Sequence, residues 1–238
     1  SVWASATGSD LKFNYIGSGT EGNQYNFVLG ADHRFDTITA GVFGGFARTK
    51  LDGTGSAYKA EGWSGGVYGS VQMTPEVSLT ATVGMANQDV AFDRSLGGFR
   101  SFGETDRDQT FGSLALAGMY QIDERVIMAP SAGVVFSRSE TDAYLDQAGR
   151  PIGSAASNLS LGQVGATFYF PSEGFTPFVG GSLNHHLNKS NTDRTYQVVG
   201  GGVIIPVGSV NLVASATTML SKKFEREHTF SLGVTQRF

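Results

Sequence analysis

From Thr229 to the last residue, Phe238, the chain alternates in polarity one residue at a time. Phe230, Leu232, Val234 and Phe238 share one face, and Thr229, Ser231, Thr235 and Arg237 share the other. A two-residue period fits a strand with one apolar and one polar side. Many earlier segments repeat it, with no helical stretch between them to cover the apolar face. A sheet of that length must bury the face another way, and closure into a barrel surrounded by lipid does so.

The alternation predicts twelve strands. They lie within Trp3–Ile16 and Asn23–Phe35, near Ile38–Thr49, Ala57–Met73, Val77–Phe92, Thr105–Gln121 and Val126–Ser139, and at Asn158–Phe170, Phe175–Leu187, Arg194–Ile205, Ser209–Leu220 and Glu227–Phe238. The fifth is the cleanest: Val77, Leu79, Ala81, Val83 and Met85 alternate with Ser78, Thr80, Thr82 and Gly84. Phase slips near Ser113–Leu114 and Gln163–Val164 read as bulges or as small apolar residues facing inward. Gly8, Ser9 and Asp10 could break the first strand.

The connections alternate in length. Asp36–Thr37, Thr74–Glu76, Asp123–Arg125, Pro171–Gly174 and Pro206–Gly208 are tight. Gly17–Gly22, Leu51–Ser56, Asp93–Glu104, Glu140–Ser157 and Asn188–Asp193 are longer, and only Ser221–Arg226 is short among them. Tight turns on one rim and long loops on the other suit an all-β, 12-stranded antiparallel transmembrane β-barrel with a periplasmic and an extracellular end. Residues 1–238 read as that single domain. The charges Glu104, Asp106, Arg107 and Asp108, and Glu140, Asp142, Asp146 and Arg150, read as solvated loop surface; the alternative is a contact with lipopolysaccharide or a surface ligand.

Composition agrees. There are 33 glycines, no cysteines and a net charge of -4, with 16% charged and 11% aromatic residues. No thiolate chemistry is available, and no basic footprint for nucleic acid is present. No run approaches the roughly 20 apolar residues of a spanning helix, whereas a barrel strand needs only about 9–11. Ser1 carries no signal peptide, so the chain reads as a processed or excised piece. The inner face is expected to be Ser, Thr, Gly, Asn and Gln around a wet lumen. Gly41, Gly45, Gly66 and Gly84 would leave room there. Trp3, Tyr15, Tyr25, Phe35, Tyr58 and Phe175 are candidates for interfacial girdles.

The opening Val2-Trp3-Ala4, the run from Phe27 to Phe35, the run Thr39 to Phe46, the segment Gly65 to Ser70 and the ending Thr229 to Phe238 together resemble the C-terminal translocator domain of monomeric autotransporters. The resemblance spans essentially the whole chain and rests on order, strand number and terminus. It implies a monomeric outer-membrane barrel of a Gram-negative bacterium, without cofactor, that helps an N-terminal passenger reach the surface. The implied partners are membrane lipid, lipopolysaccharide, the barrel assembly machinery, periplasmic chaperones, the passenger and a linker helix threading the lumen. That helix is expected to be missing from this chain. Asp32, Arg34, Glu61, Arg194, Glu227 and Arg237 are the candidate lumen charges that would touch it. Phe230, Leu232, Val234 and Phe238 are the candidate assembly signal, read by strand addition. Some relatives cleave their own linker with lumen acids; Glu61 is the acid to test for that.

Three rival readings remain open. An outer-membrane enzyme of phospholipase type would need a hydroxyl activated by histidine. His186, with Ser182 and Asn184 on the same parity, is the only such cluster, and no HExxH, GxSxG or Walker sequence is present. The chain is therefore expected not to be an enzyme. A plain pore or structural anchor, and a soluble glycine-rich sandwich, are the other two.

Overall fold

A computed structural model describes residues 1–15, 18–96, 99–188, 194–220 and 225–236. The strands are β1 (Val2–Tyr15), β2 (Ser18–Phe35), β3 (Ile38–Gly53), β4 (Ser56–Gln72), β5 (Val77–Leu96), β6 (Phe99–Gly118), β7 (Tyr120–Asp123), β8 (Val126–Thr141), β9 (Tyr144–Leu145), β10 (Pro151–Ile152), β11 (Ala155–Tyr169), β12 (Thr176–His186), β13 (Thr195–Val207), β14 (Val210–Leu220) and β15 (Glu225–Gln236). β7 extends the line of β6 past Met119, and β9 pairs only with β10. Twelve staves remain, each antiparallel to its neighbours. The sheet closes because β15 pairs with β14 on one side and with β1 on the other, from Val2 opposite Gln236 to Phe13 opposite Glu225. Closure leaves no open edge, so the peptide groups of the staves can pair without water.

The twelve strands expected from alternation are all present, but most run further than alternation alone suggests. The expected excursion Leu51–Ser56 shrinks to a turn at Thr54 and Gly55, with Gly55 at φ +75°. Asp93–Glu104 is largely paired strand, as β5 reaches Leu96 and β6 starts at Phe99. The long side of the barrel is therefore built mainly of hairpins. Among the described residues, the excursion between β8 and β11 carries a fold of its own, the β9–β10 pair.

Neither phase slip is a bulge. The register of β5 on β6 and of β8 on β11 runs without a shift through Ser113–Leu114 and Gln163–Val164. Phe111, Ala115, Leu159 and Leu161 simply face inward. β1 is likewise unbroken at Gly8-Ser9-Asp10, because it is paired on both sides.

Residues directly opposite in an antiparallel ladder point to the same side. Outward Leu232 therefore carries its facing to Ala6, Phe27, Phe46, Trp63 and onward round the wall. From the tight-turn rim upward the outer face is apolar: Ile38, Ala40, Val42 and Phe46 on β3; Val71, Val67 and Trp63 on β4; Val77, Leu79, Val83 and Met85 on β5. It then turns charged, at Arg48 and Lys50, Glu61 and Lys59, and Asp89. Ile38 to Phe46 is nine residues, and at about 3.4 Å per residue and a tilt of about 40° it rises roughly 23 Å. That matches an apolar belt of about 25 Å.

Candidate functional site

The inner wall is the candidate site. It is built from the strand positions that alternate with the belt. Ser5, Thr7 and Ser9 on β1 stand opposite Val28, Asn26 and Gln24 on β2, and Asn26 donates to the Thr7 hydroxyl across 3.2 Å. Ser64, Ser70, Thr80, Thr82 and Gln109 continue the polar lining, with Thr80 donating to Ser70 at 3.0 Å.

Near the tight-turn rim the wall carries a connected cluster. Trp3 Nε1 donates to the Tyr68 hydroxyl at 2.7 Å, and that hydroxyl donates to Asp32 Oδ2 at 2.6 Å. Asp32 Oδ1 accepts from the Ser1 hydroxyl at 2.7 Å. The rings of Trp3, Tyr68, Phe43 and Phe111 follow one another with centroids 6.2, 6.5 and 6.2 Å apart. Each ring lies against a glycine. A Cβ on Gly30 would come within 2.5 Å of the Trp3 indole, and one on Gly41 within 2.4 Å of the Tyr68 ring. Gly66 and Gly84 seat Phe43 and Phe111 in the same way. These inward glycines do more than leave room: they let large rings lie flat on the wall.

The opposite rim is partly roofed. Tyr144 packs against Gly103 and stacks on Phe92 at 6.1 Å, and Phe92 meets Tyr58 at 5.4 Å. The Arg107 guanidinium lies 5.5 Å from the Tyr58 ring centre. Behind Tyr144, buried Asp146 accepts from the backbone N–H groups of Ala148 and Arg150 at 2.9 and 2.8 Å and from Arg150 Nε at 2.8 Å. These contacts, the Arg150 backbone N–H foremost, hold the Asp146 carboxyl below its usual range. The expectation that Asp146 is solvated surface is thus corrected, because the carboxylate organises its own loop.

The predicted site residues separate into three groups. Asp32, Arg34 and Glu227 are on inward positions, and Arg194 lies just ahead of β13 on the same parity, its carbonyl accepting from the His186 N–H at 2.8 Å. Asp32 joins the aromatic cluster. Arg34 is directed to the rim, where it donates to the Asp36 carbonyl at 2.8 Å and to Gln72 Oε1 at 2.7 Å. Glu227 accepts from the Thr229 hydroxyl at 3.1 Å. Glu61 is not in the lumen. It stands opposite outward Arg48, 3.7 Å from that guanidinium and 3.0 Å from Lys59 Nζ, above the apolar belt. Its parity is that of Trp63 and Val67, so its place outside was already encoded in the alternation. As an acid for in-barrel cleavage it is likewise ruled out by position. Phe230, Leu232 and Val234 form one outward row, with Phe230 68% and Leu232 66% exposed. Arg237 and Phe238 lie outside the described residues.

Two expected girdle aromatics are also corrected. Trp3 and Tyr58 face inward, whereas Tyr25, Phe35 and Phe175 are exposed. The missed lumen residues are Trp3 and Tyr68. The available signal was the matching of glycine and aromatic residues on one parity. In the histidine cluster, Asn184 donates to the Ser182 hydroxyl at 3.0 Å, and the ring of His186 packs 5.7 Å from Tyr196. His185 is directed outward to Thr195.

Comparison with known proteins agrees with this architecture. The translocator domain of the autotransporter NalP from Neisseria meningitidis superposes with a TM-score of 0.87 at 16% identity, covering 100% of this chain and 88% of that one. The β domain of the Bordetella autotransporter BrkA gives 0.78 at 17% identity, covering 100% and 98%. The transport unit of the autotransporter AIDA-I from Escherichia coli gives 0.75 at 17% identity, covering 100% and 90%. No curated protein sequence matches the chain. At these identities the superpositions speak for the fold. The sequence itself matches the family described as autotransporter β-domain over residues 2–223. The chain belongs to the autotransporter β-domain family.

Proposed function

We propose that this barrel is a translocator in the outer membrane of a Gram-negative bacterium and supports export of a passenger joined ahead of Ser1. The observation that carries the reading is the hydroxyl- and amide-lined inner wall, closed by the β1–β15 ladder and surrounded outside by an apolar belt. Such a wall wets an extended chain without gripping it, and hydrocarbon outside requires the closure. β1 rises from the tight-turn rim, so a segment joined to Ser1 meets the lumen there, beside Trp3, Tyr68 and Asp32. The work is transport without a covalent step. Under this reading the tight-turn rim is periplasmic. Periplasmic chaperones deliver the unfolded chain, and the assembly machinery reads the outward row Phe230, Leu232 and Val234 by pairing with the terminal strand.

The test is an epitope-tagged segment fused ahead of Ser1 and produced in a Gram-negative host. Protease added to intact cells should remove the tag while the barrel stays heat-modifiable in the outer membrane. A tag that remains protected beside a correctly inserted barrel overturns the export reading and leaves the membrane barrel standing.

A further inference from the structure

One sector of the outer wall has a charge arrangement that the barrel itself does not need. Lys50 on β3 stands directly opposite Lys59 on β4, and both point outward. Like charges so placed have Cβ atoms about 4.5–5.5 Å apart and are destabilising. Arg48, one outward position below, adds a third cation. Among the described residues, two carboxylates lie within 4 Å of these cations: Glu61 is shared by Arg48 and Lys59, and Asp52 meets Lys50 at 3.0 Å. The three cationic side chains are 44–63% exposed, so such pairs are weak and free to rearrange.

The cations also lie at a particular height. Immediately beneath them the outer face carries Tyr25 opposite Arg48, and Phe46 opposite Trp63 with ring centroids 5.0 Å apart. Trp63 is 72% exposed. Exposed aromatics at the top of an apolar belt mark the interface with headgroups. One stave further round the sign reverses, since outward Asp89 stands opposite Glu61 and Asp106. An anion at headgroup height is thus attracted to β3 and β4 and repelled from β5 and β6.

We propose that Arg48, Lys50 and Lys59 form a seat for a phosphomonoester of the glycolipid in the surrounding outer leaflet, with Phe46 and Trp63 flanking its acyl chains. A phosphomonoester carries up to two charges and several acceptor oxygens. It relieves the Lys50–Lys59 repulsion, and Arg48 can meet it with a forked pair of hydrogen bonds. The seat rests on the reading of the chain as an outer-membrane barrel and adds a lipid-binding site to it.

The test is native mass spectrometry of the full, detergent-refolded barrel with bisphosphorylated lipid A and with its dephosphorylated form. The unaltered barrel should bind the phosphorylated lipid at least tenfold more tightly. The triple substitution Arg48→Gln, Lys50→Gln and Lys59→Gln should abolish that preference, Lys59→Gln alone should lower it about threefold, and Arg138→Gln, which removes an outward cation on β8 away from the seat, should leave it intact. All four positions are outside the wall, and heat-modifiable mobility reports that each variant is closed. A preference that survives in the triple variant, or that is absent from the unaltered barrel, overturns the seat. Insertion into phosphatidylcholine vesicles tests the barrel reading separately: a barrel that inserts normally yet shows no preference sinks only the seat.

Discussion

Trp3 and Gly30 stand directly opposite each other across the β1–β2 ladder, and the indole lies where a side chain on Gly30 would begin. The contact ties the first strand to the second from inside the barrel and aims the indole N–H at Tyr68. Gly30→Ala should displace the ring, because its added carbon would meet the indole at 2.5 Å. Overpacking of this sort costs about 1–3 kcal/mol. The expected outcome is a lower urea midpoint for the detergent-refolded barrel and a shift in tryptophan emission. An unchanged midpoint and spectrum would show that the indole has room the structure does not give it.

Tyr68 connects the cluster through one hydroxyl, accepting from Trp3 and donating to Asp32. Tyr68→Phe keeps the ring on Gly41 and strips both partners of their contact. Asp32 keeps the Ser1 hydroxyl, so the main loss is at the half-buried Trp3 N–H, and an unmet donor of that kind costs about 1–3 kcal/mol. A double-mutant cycle with Asp32→Ala, which removes the acceptor, should show coupling of more than about 0.5 kcal/mol, since the two groups share one network. Additive effects would mean that the 2.6 Å contact contributes nothing to stability.

The alternation made the strands, their number and most of their facings legible in the sequence. It failed where the outer surface leaves the membrane. Glu61 lies on the same parity as Trp63, yet a carboxylate beside a tryptophan is out of place on a lipid-facing strand, and composition alone assigns it to the lumen. The hairpins rise past the belt, so the outer face becomes charged at Arg48, Lys59 and Glu61 without changing side. The same extension turned the expected loop at Asp93–Glu104 into paired strand. Trp3 was obscured differently: a terminal aromatic fits a girdle as well as a lumen, and only its partner Gly30, which is 27 residues away in sequence and opposite in register, decides between them. Asp146 needed tertiary information, since its burial depends on a loop folding back onto Ser101 and Phe102.

That loop predicts a pH response. The Asp146 carboxyl is held below its ordinary value of 3.8 by the Arg150 backbone N–H, with further help from the Arg150 side chain and the Ala148 N–H. A depressed carboxyl stabilises the fold above its unfolded value, and the contribution is lost as pH falls through the folded value. The turn from Asp146 to Arg150 should therefore hold at neutral pH and through the ordinary carboxylate range, and open only as pH falls through the lowered folded value. Hydrogen exchange at the Ala148 and Arg150 amides, measured after equilibration at each pH, reads the opening. Asp146→Asn should raise their exchange at neutral pH and flatten its dependence on acid. Protection that is equal in the two proteins at pH 7 would remove the carboxylate from the account.

The outer row of the terminal strand permits a sharper test of the belt. Leu232 is 66% exposed, stands opposite Ala6 and Ala214, and lies among Phe230, Val234 and Leu212. If acyl chains cover it, Leu232→Arg places a charge in hydrocarbon, at a cost of about 2–4 kcal/mol near the midplane. Arg48→Gln, by contrast, alters a position already above the belt and should change bilayer stability by less than about 0.5 kcal/mol. Both positions are more than half exposed in the isolated protein, so exposure to water alone gives no reason for the two substitutions to differ in kind. Equilibrium unfolding from phospholipid vesicles should separate them clearly. Equal stabilities would mean that Leu232 meets water or protein instead of lipid, and the facing of all twelve staves, which the registers link to Leu232, would have to be reversed or abandoned.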